Sequence, residues 1–220
     1  KPTNGVYGQG LRSFQVQDGQ LHEHGEPVTL SALMQSLPER SRHVLQERLR
    51  NHPTLQALTG VSTLQTLRVV TGLPPYPCAR ATVLSAAWRS VVEDTLADNF
   101  DYGRSGNLRA RVDCETGQIL QVVRAARTGF GLEDVRHHPN TDAELVGQTL
   151  PDWPQVIELL STFAPLFYPI RLVGWDVALT DKGPRVLEGN FWFDPGDNAT
   201  GGVQPLIERF NALKATSSNP

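Results

Sequence analysis

A chain of 220 residues with a formal charge of −3 and 39% hydrophobic residues is long and apolar enough to bury a sizeable core without covalent staples. Its nearly balanced charge, with no basic run, argues against nucleic acid or an anionic membrane as partner, and no apolar run approaches the roughly 20 residues that span a bilayer. Cys78 and Cys114 are the only two cysteines and lie far apart, so no disulfide framework or zinc knuckle is expected; inert thiols in a reducing, cytoplasmic setting are.

Taken in chain order, Gly5, Gly8 and Gly10 make a glycine-rich start. The alternation from Leu11 to Val16, closed by Asp18-Gly19, predicts a hairpin. Thr29 is placed to cap a short helix running to about Leu37, where Pro38 stops it. Arg42 to Leu49 fits strand and helix alike, and a strand running into a linker is expected. Asn51-His52-Pro53 then breaks the pattern, because a residue before proline avoids the α region. β-branched residues over 62–72 predict a strand, the prolines of 73–77 a loop, and the small apolar residues 79–88 a buried strand. Residues 106–113 and 118–123 flank the turn Glu115-Thr116-Gly117 and form a second hairpin. A loop-rich stretch over 128–151 precedes a helix from Trp153 to Phe163. Two strands about Asp181-Lys182-Gly183-Pro184, a polar loop at 194–202, a last helix from about Val203 to Leu213 and a polar tail at 215–220 complete the chain. The sum is an α+β fold of antiparallel hairpins with a few covering helices.

Residues 174–190 read GWDVALTDKGPRVLEGN. In a strand, positions i and i+2 share a face, so Glu188 and Asn190 are neighbours about 7 Å apart, and a hairpin partner can set Asp176 opposite them. Two carboxylates and an amide are hard oxygen ligands that suit Mg²⁺. A solvated hairpin edge carrying ordinary polar residues fits the same spacing. The apolar company of Leu172, Val173, Trp175, Val177, Val186 and Phe191 favours the ligand reading, because acids among such residues are costly unless paired or metal-bound. At the other end of the chain Lys1 precedes Gly5, Gly8 and Gly10. Glycines let backbone N–H groups approach phosphate oxygens and a lysine adds a point charge, although hairpin loops are glycine-rich for backbone reasons alone. No GK[ST] ends the glycines and no helix pattern follows them, so neither a P-loop nor a dinucleotide fingerprint is present.

Several motifs together resemble the sugar-transfer-associated branch of the ATP-grasp superfamily: KPTNGVYGQGL, VLQERLRNHPTLQAL with STLQTLRVVT, LADNFDYGRSGNLRARVDCETGQI, HHPNT…GQTLPDW and VGWDVALTDKGPRVLEGN. The resemblance spans nearly all of residues 1 to 205. It implies an ATP-grasp fold of two α+β subdomains with antiparallel sheets, with residues 1–50 a partial nucleotide-binding part and 51–214 a C-terminal part bearing the metal site. An N-terminal region and an upstream lysine, usual in the superfamily, are read as missing, and the Gly-Gly step between Asn99 and Gly106 is loosened to FDYGRS.

The activity implied is an ATP- and Mg²⁺-dependent ligase, with Mn²⁺ as an alternative ion. It would join a carboxylate to an amine or thiol through an acyl phosphate, in cell-surface saccharide or peptide modification. A nucleotide-binding module without ligation and an ATP-dependent phosphotransferase are the alternatives. Carried over by residue, Lys1 with Gly5, Gly8 and Gly10 serves the phosphates, Gln46 to Leu49 the adenine with Glu47 the foremost side chain, Arg68 the transferred phosphoryl group, and Asp176, Glu188 and Asn190 the metal. Arg89 and Arg109 join Arg68 as catalytic candidates. Arg109 and Arg111, two apart on one strand face, grip a carboxylate substrate or lie in solvent. Asp98 and Asn99 order their loop or touch substrate; His52, His138, Trp175 and Trp192 are expected to be structural. The partners implied are small molecules, with oligomerisation left open.

Overall fold

The structure is a computed structural model that describes residues 1–3, 10–38, 42–78, 80–93, 100, 104–126, 128–193 and 203–215. The chain divides into two compact units, Lys1–Leu49 and Arg50–Pro220.

In the smaller unit, strands β1 (Phe14–Gln17), β2 (Gln20–Glu23) and β3 (Glu26–Pro27) pair antiparallel in that order. Asp18 and Gly19 have φ of 51° and 76°, the positive values that a two-residue type I′ turn requires. Thr29 caps helix α1 (Leu30–Ser36) by accepting from the Ala32 N–H at 3.1 Å. Arg12 ties the hairpin to the helix, donating from Nε to Glu23 at 2.7 Å and from Nη1 to Ser36 Oγ at 2.6 Å. Arg42 to Leu49 forms no strand. Among the described residues its ladder pairing is one bridge, Pro2 with His43, flanked by Thr3 N–H donating to the Arg42 carbonyl and Val44 N–H to the Lys1 carbonyl, and residues beyond Val44 run on irregularly.

The larger unit is built on a seven-stranded antiparallel sheet, ordered β10-β9-β4-β5-β6-β7-β8. Its strands are β4 (Thr66–Gly72), β5 (Thr82–Ser90), β6 (Leu108–Val112), β7 (Ile119–Ala125), β8 (Leu132–Asp134), β9 (Leu172–Thr180) and β10 (Gly183–Asn190). Strands β4 and β5 start later than their β-branched and small residues suggest, and the three-residue β8 lies within the expected loop. Helices α2 (Pro53–Thr59), α3 (Trp153–Phe163) and α4 (Val203–Ala215) complete it. Helix α2 is the main element that sequence reasoning missed. Asn51-His52-Pro53 starts a helix as well as breaking a pattern: the His52 ring Nδ1 accepts from the Thr54 N–H at 3.1 Å, and Pro53 occupies the first turn, where it needs no donor.

Alternation along the strands divides the sheet into unlike faces. On one, Leu67, Val69, Trp88, Ala110, Trp175 and Val177 form the core with Leu55 of α2 and Trp153, Val156 and Leu160 of α3. The opposite face carries Arg68, Arg89, Arg109, Arg111 and Asp176. Helix α4 covers one end of that polar face, where Leu206 packs on Val70 and Leu84. No helix among the described residues is long and apolar enough to cross a membrane.

Candidate active site

The hairpin of β9 and β10 turns through Asp181 and Lys182, held by Thr180 Oγ1 donating to the Gly183 carbonyl at 2.6 Å. From the turn outward the pairing is regular as far as Val186 opposite Val177. There the register shifts, and Glu188 rather than Leu187 lies opposite Asp176. In an unbroken ladder Glu188 would pair with Trp175 and point into the core. The extra residue moves Glu188 and Asn190 onto the face of Asp176, as β-bulges do beside sites that need a side chain re-aimed. Gly189 then lies opposite Trp175, where a Cβ would come within 2.6 Å of the indole. Glycine at 189 therefore leaves room for the ring that closes the core beneath the site.

Across the next ladder Asp176 faces Arg68 directly, so Glu188, Asp176 and Arg68 form a row over three neighbouring strands. Arg68 Nε lies 2.7 Å from Asp176 Oδ1 as a charge contact with no aligned hydrogen bond; its Nη2 donates to Oδ2 at 3.3 Å. Arg89 Nη2 donates to Oδ1 at 3.3 Å, while its Nη1 donates to Thr66 Oγ1 at 3.0 Å. Asp176 is 8% exposed. Burial pushes its carboxyl above the ordinary carboxylate range, and the nearby Glu188 charge adds to this. Arg89 and Arg68 pull the other way without prevailing. Glu188 is exposed, not enclosed by its apolar neighbours, and its Oε1 accepts from Asn190 Nδ2 at 3.2 Å.

Arg109 lies opposite Arg89, and Arg111 opposite Ala87, so four guanidinium side chains surround the small floor of Ala87 on this face. All three metal candidates and all three catalytic candidates thus share one face of one sheet. The remaining nucleotide candidates lie in the smaller unit. The Lys1 amino terminus donates to the Val44 carbonyl at 2.9 Å, so Lys1 sits just ahead of Gln46 and Glu47, both exposed. Gly10 has φ of 71° and a Cβ there would meet Pro2 at 2.9 Å, so only glycine fits beside the first residues. Gly5, Gly8, Asp98 and Asn99 lie outside the described residues.

His52 and His138 have structural contacts of their own. His52 caps α2, and the buried His138 sets Nε2 3.1 Å from the Val91 carbonyl while Nδ1 accepts from the Asn140 N–H. Trp175 is buried and donates from Nε1 to Thr71 Oγ1 at 2.8 Å, but Trp192 is 93% exposed, so the packing role expected of it does not hold. An apolar cavity of about 400 Å³ opens beside Glu188, lined by Phe163, Phe167, Ile170, Trp175, Val186 and Phe191. Thr66, which anchors Arg89, was legible only as the residue two before Arg68. Arg209 of α4, which reaches the Leu84 carbonyl at 2.8 Å, carried no sequence signal at all.

Among the described residues no three His, Cys, Asp or Glu side chains gather as a ready metal cluster. Two carboxylates and an amide oxygen fit an ion that keeps part of its water and shares its shell with phosphate, which is the habit of Mg²⁺. No curated protein and no solved structure matches the chain. The family model described as sugar-transfer associated ATP-grasp matches residues 1–195, from Lys1 past the whole of the Asp176–Glu188–Asn190 hairpin. ATP-grasp proteins are ATP-binding, ligase-type enzymes that act on small molecules. A match over most of the chain, with the α+β architecture and antiparallel sheets described above, makes this protein a member of the sugar-transfer associated ATP-grasp family.

Proposed function

We propose that the chain is the catalytic region of an ATP- and Mg²⁺-dependent ligase. It joins a small-molecule carboxylate to an amine, or to a thiol, through an acyl phosphate. The row of Glu188, Asp176 and Arg68 on one sheet face supports this reading most directly, since it sets two acids beside a guanidinium where phosphate charge must be met.

In the first step a carboxylate oxygen attacks the γ-phosphorus, the bond to the β,γ-bridging oxygen breaks, and ADP leaves. In the second, the nucleophile attacks the acyl carbon, the bond to the phosphate oxygen breaks, and inorganic phosphate leaves as the nucleophile loses its proton. Such chemistry needs positioning and offset of charge more than covalent help from the protein. Asp176, Glu188 and Asn190 would hold Mg²⁺, or Mn²⁺ in its place, and the ion supplies charge neutralisation at the phosphates. Arg68, Arg89 and Arg109 act on the transferred group and the carboxylate; the planar guanidinium fork suits both oxyanions, which a lysine does not match. Lys1 with Gly5, Gly8 and Gly10 serves the phosphates, and Gln46 with Glu47 the adenine. Cell-surface saccharide or peptide modification is the setting proposed, in the cytoplasm.

The test is a panel of carboxylates and amines incubated with the protein and Mg·ATP, with ADP release and product mass measured together. An amide or thioester formed with stoichiometric ADP is the expected result. ATP bound without ADP release identifies a nucleotide-binding module, and a stable phosphate ester a phosphotransferase; either overturns the ligase reading.

A further inference from the structure

Helix α4 does not lie flush on the polar face of the sheet. Between it and strands β5 and β6 is a cavity of about 110 Å³ whose polar lining comes from Ser85, Arg111, Asp113, Cys114 and Arg209. At about 30 Å³ for each water of liquid volume, this space holds three or four waters or one compact oxyanion.

The charges about it are unevenly met. Arg111 Nε is buried and has no hydrogen-bond partner, although a guanidinium is always charged and a buried N–H left unmet is costly. Arg209 is held at the cavity by Nη1, which donates to the Leu84 carbonyl at 2.8 Å and to Cys114 Sγ at 3.4 Å. The one acid in the lining, Asp113, is held ionised, chiefly by bonds within its own turn and in part by the Arg209 charge, so it offsets part of the cationic charge. Asp113 Oδ1 accepts from Thr116 N and Thr116 Oγ1, each at 2.8 Å, and from Glu115 N at 3.1 Å, all within its own turn. Burial raises the Cys114 thiol, so it adds no negative charge near neutrality. Two guanidinium groups and a hydroxyl therefore line a small space with a single carboxylate, which leaves one positive charge in excess.

We propose that this cavity binds a carboxylate or phosphate group which is the second anionic group of the enzyme's carboxylate substrate. The site belongs to the same sheet face as the row described above. Asp176, Arg68, Ala87 and Arg111 are successive partners on four neighbouring strands, so Arg111 lies two strands, about 10 Å, from Arg68. A substrate whose reacting carboxylate meets Arg68 thus extends over Ala87 and sets its far end at Arg111 and Arg209. Its class is a dicarboxylate or a phosphorylated carboxylate. The substrate assignment rests on the ligase reading; the anion site itself does not.

The test titrates the full chain, saturated with Mg²⁺ and a non-hydrolysable ATP analogue, with inorganic phosphate and separately with succinate, by calorimetry at constant ionic strength. Arg111→Gln and Arg209→Gln are each expected to weaken the preferred anion at least tenfold, with Arg111→Lys intermediate. Tighter phosphate points to a phosphorylated substrate and tighter succinate to a dicarboxylate. Arg209 lies exposed on α4, so its variant reports even where loss of Arg111 disturbs folding. Absence of binding to the wild type, or equal binding by both Gln variants, overturns the proposal. Anion binding that depends on both arginines without ligation of any acceptor keeps the site and removes the ligase reading; ligation with anion binding indifferent to both does the reverse.

Discussion

Glu188→Gln separates chemistry from folding at this site. Glu188 is exposed, and its Oε1 accepts from the Asn190 amide at 3.2 Å, a bond that a glutamine oxygen can also accept. A surface change of this kind moves stability by no more than about 0.5 kcal/mol, or roughly 1–2 °C in melting temperature. Removing the charge is a different matter for a bound cation. One unit charge about 4 Å from a divalent ion, with an effective dielectric of about 20, is worth about 8 kcal/mol, and exposure of the carboxylate to water and salt reduces this to about 2–4 kcal/mol. If that stabilisation is made in the transition state, turnover falls by about 30- to 1,000-fold. Mg·ATP-dependent ADP release, measured beside circular-dichroism melting and a Mg²⁺ titration, checks both halves. Turnover within threefold of wild type, or loss of turnover accompanied by a large drop in melting temperature, would refute the reasoning.

Gly189→Ala tests the same strand from beneath. Its Cβ falls 2.6 Å from the Trp175 ring, so a destabilisation of about 1–3 kcal/mol is expected in denaturant unfolding, with loss of ADP release as Glu188 and Asn190 shift. Leu160→Ala removes a fully buried side chain of α3 from the core and should lower stability by about 2–5 kcal/mol, with an unchanged midpoint as the refuting result. His138 gives a pH dependence. Burial holds its imidazole below the ordinary value of 6.5, so as the pH falls through that value the unfolded chain binds a proton that the folded chain resists, and stability is lost. Asp176, raised by burial, works in the opposite direction, so the comparison is with His138→Gln: between about pH 7.5 and about pH 5.5 the wild type should lose more stability than the variant, and parallel slopes would refute the assignment.

Much of this protein was legible without coordinates because the decisive interactions are short-range. Asp18-Gly19, the Thr29 cap, the turn at Asp181 and Lys182 and the helix from Trp153 to Phe163 each follow from a few adjacent residues and the backbone geometry they accept. The metal candidates were legible too, as an acid before a turn and an acid and amide two apart after it, within motifs that carry the ATP-grasp resemblance. Helix α2 escaped because a histidine is an uncommon cap and the proline after it signals a break and a helix start equally well.

What the sequence by itself determined, then, is an alternating strand pair, its turn and the residue types on it. The face to which Glu188 points was decided by a one-residue bulge at Leu187, and no local pattern announces such a bulge, since it depends on how β10 settles against β9 and Trp175. Tertiary structure alone brought Arg68 and Arg89 to Asp176 across separations of 108 and 87 residues, and carried Arg209 to the cavity at Arg111. Side-chain alternation along a strand is a property of the chain. Which strand lies beside it, and in what register, is a property of the sheet, because each ladder is fixed only when the core on its far face closes.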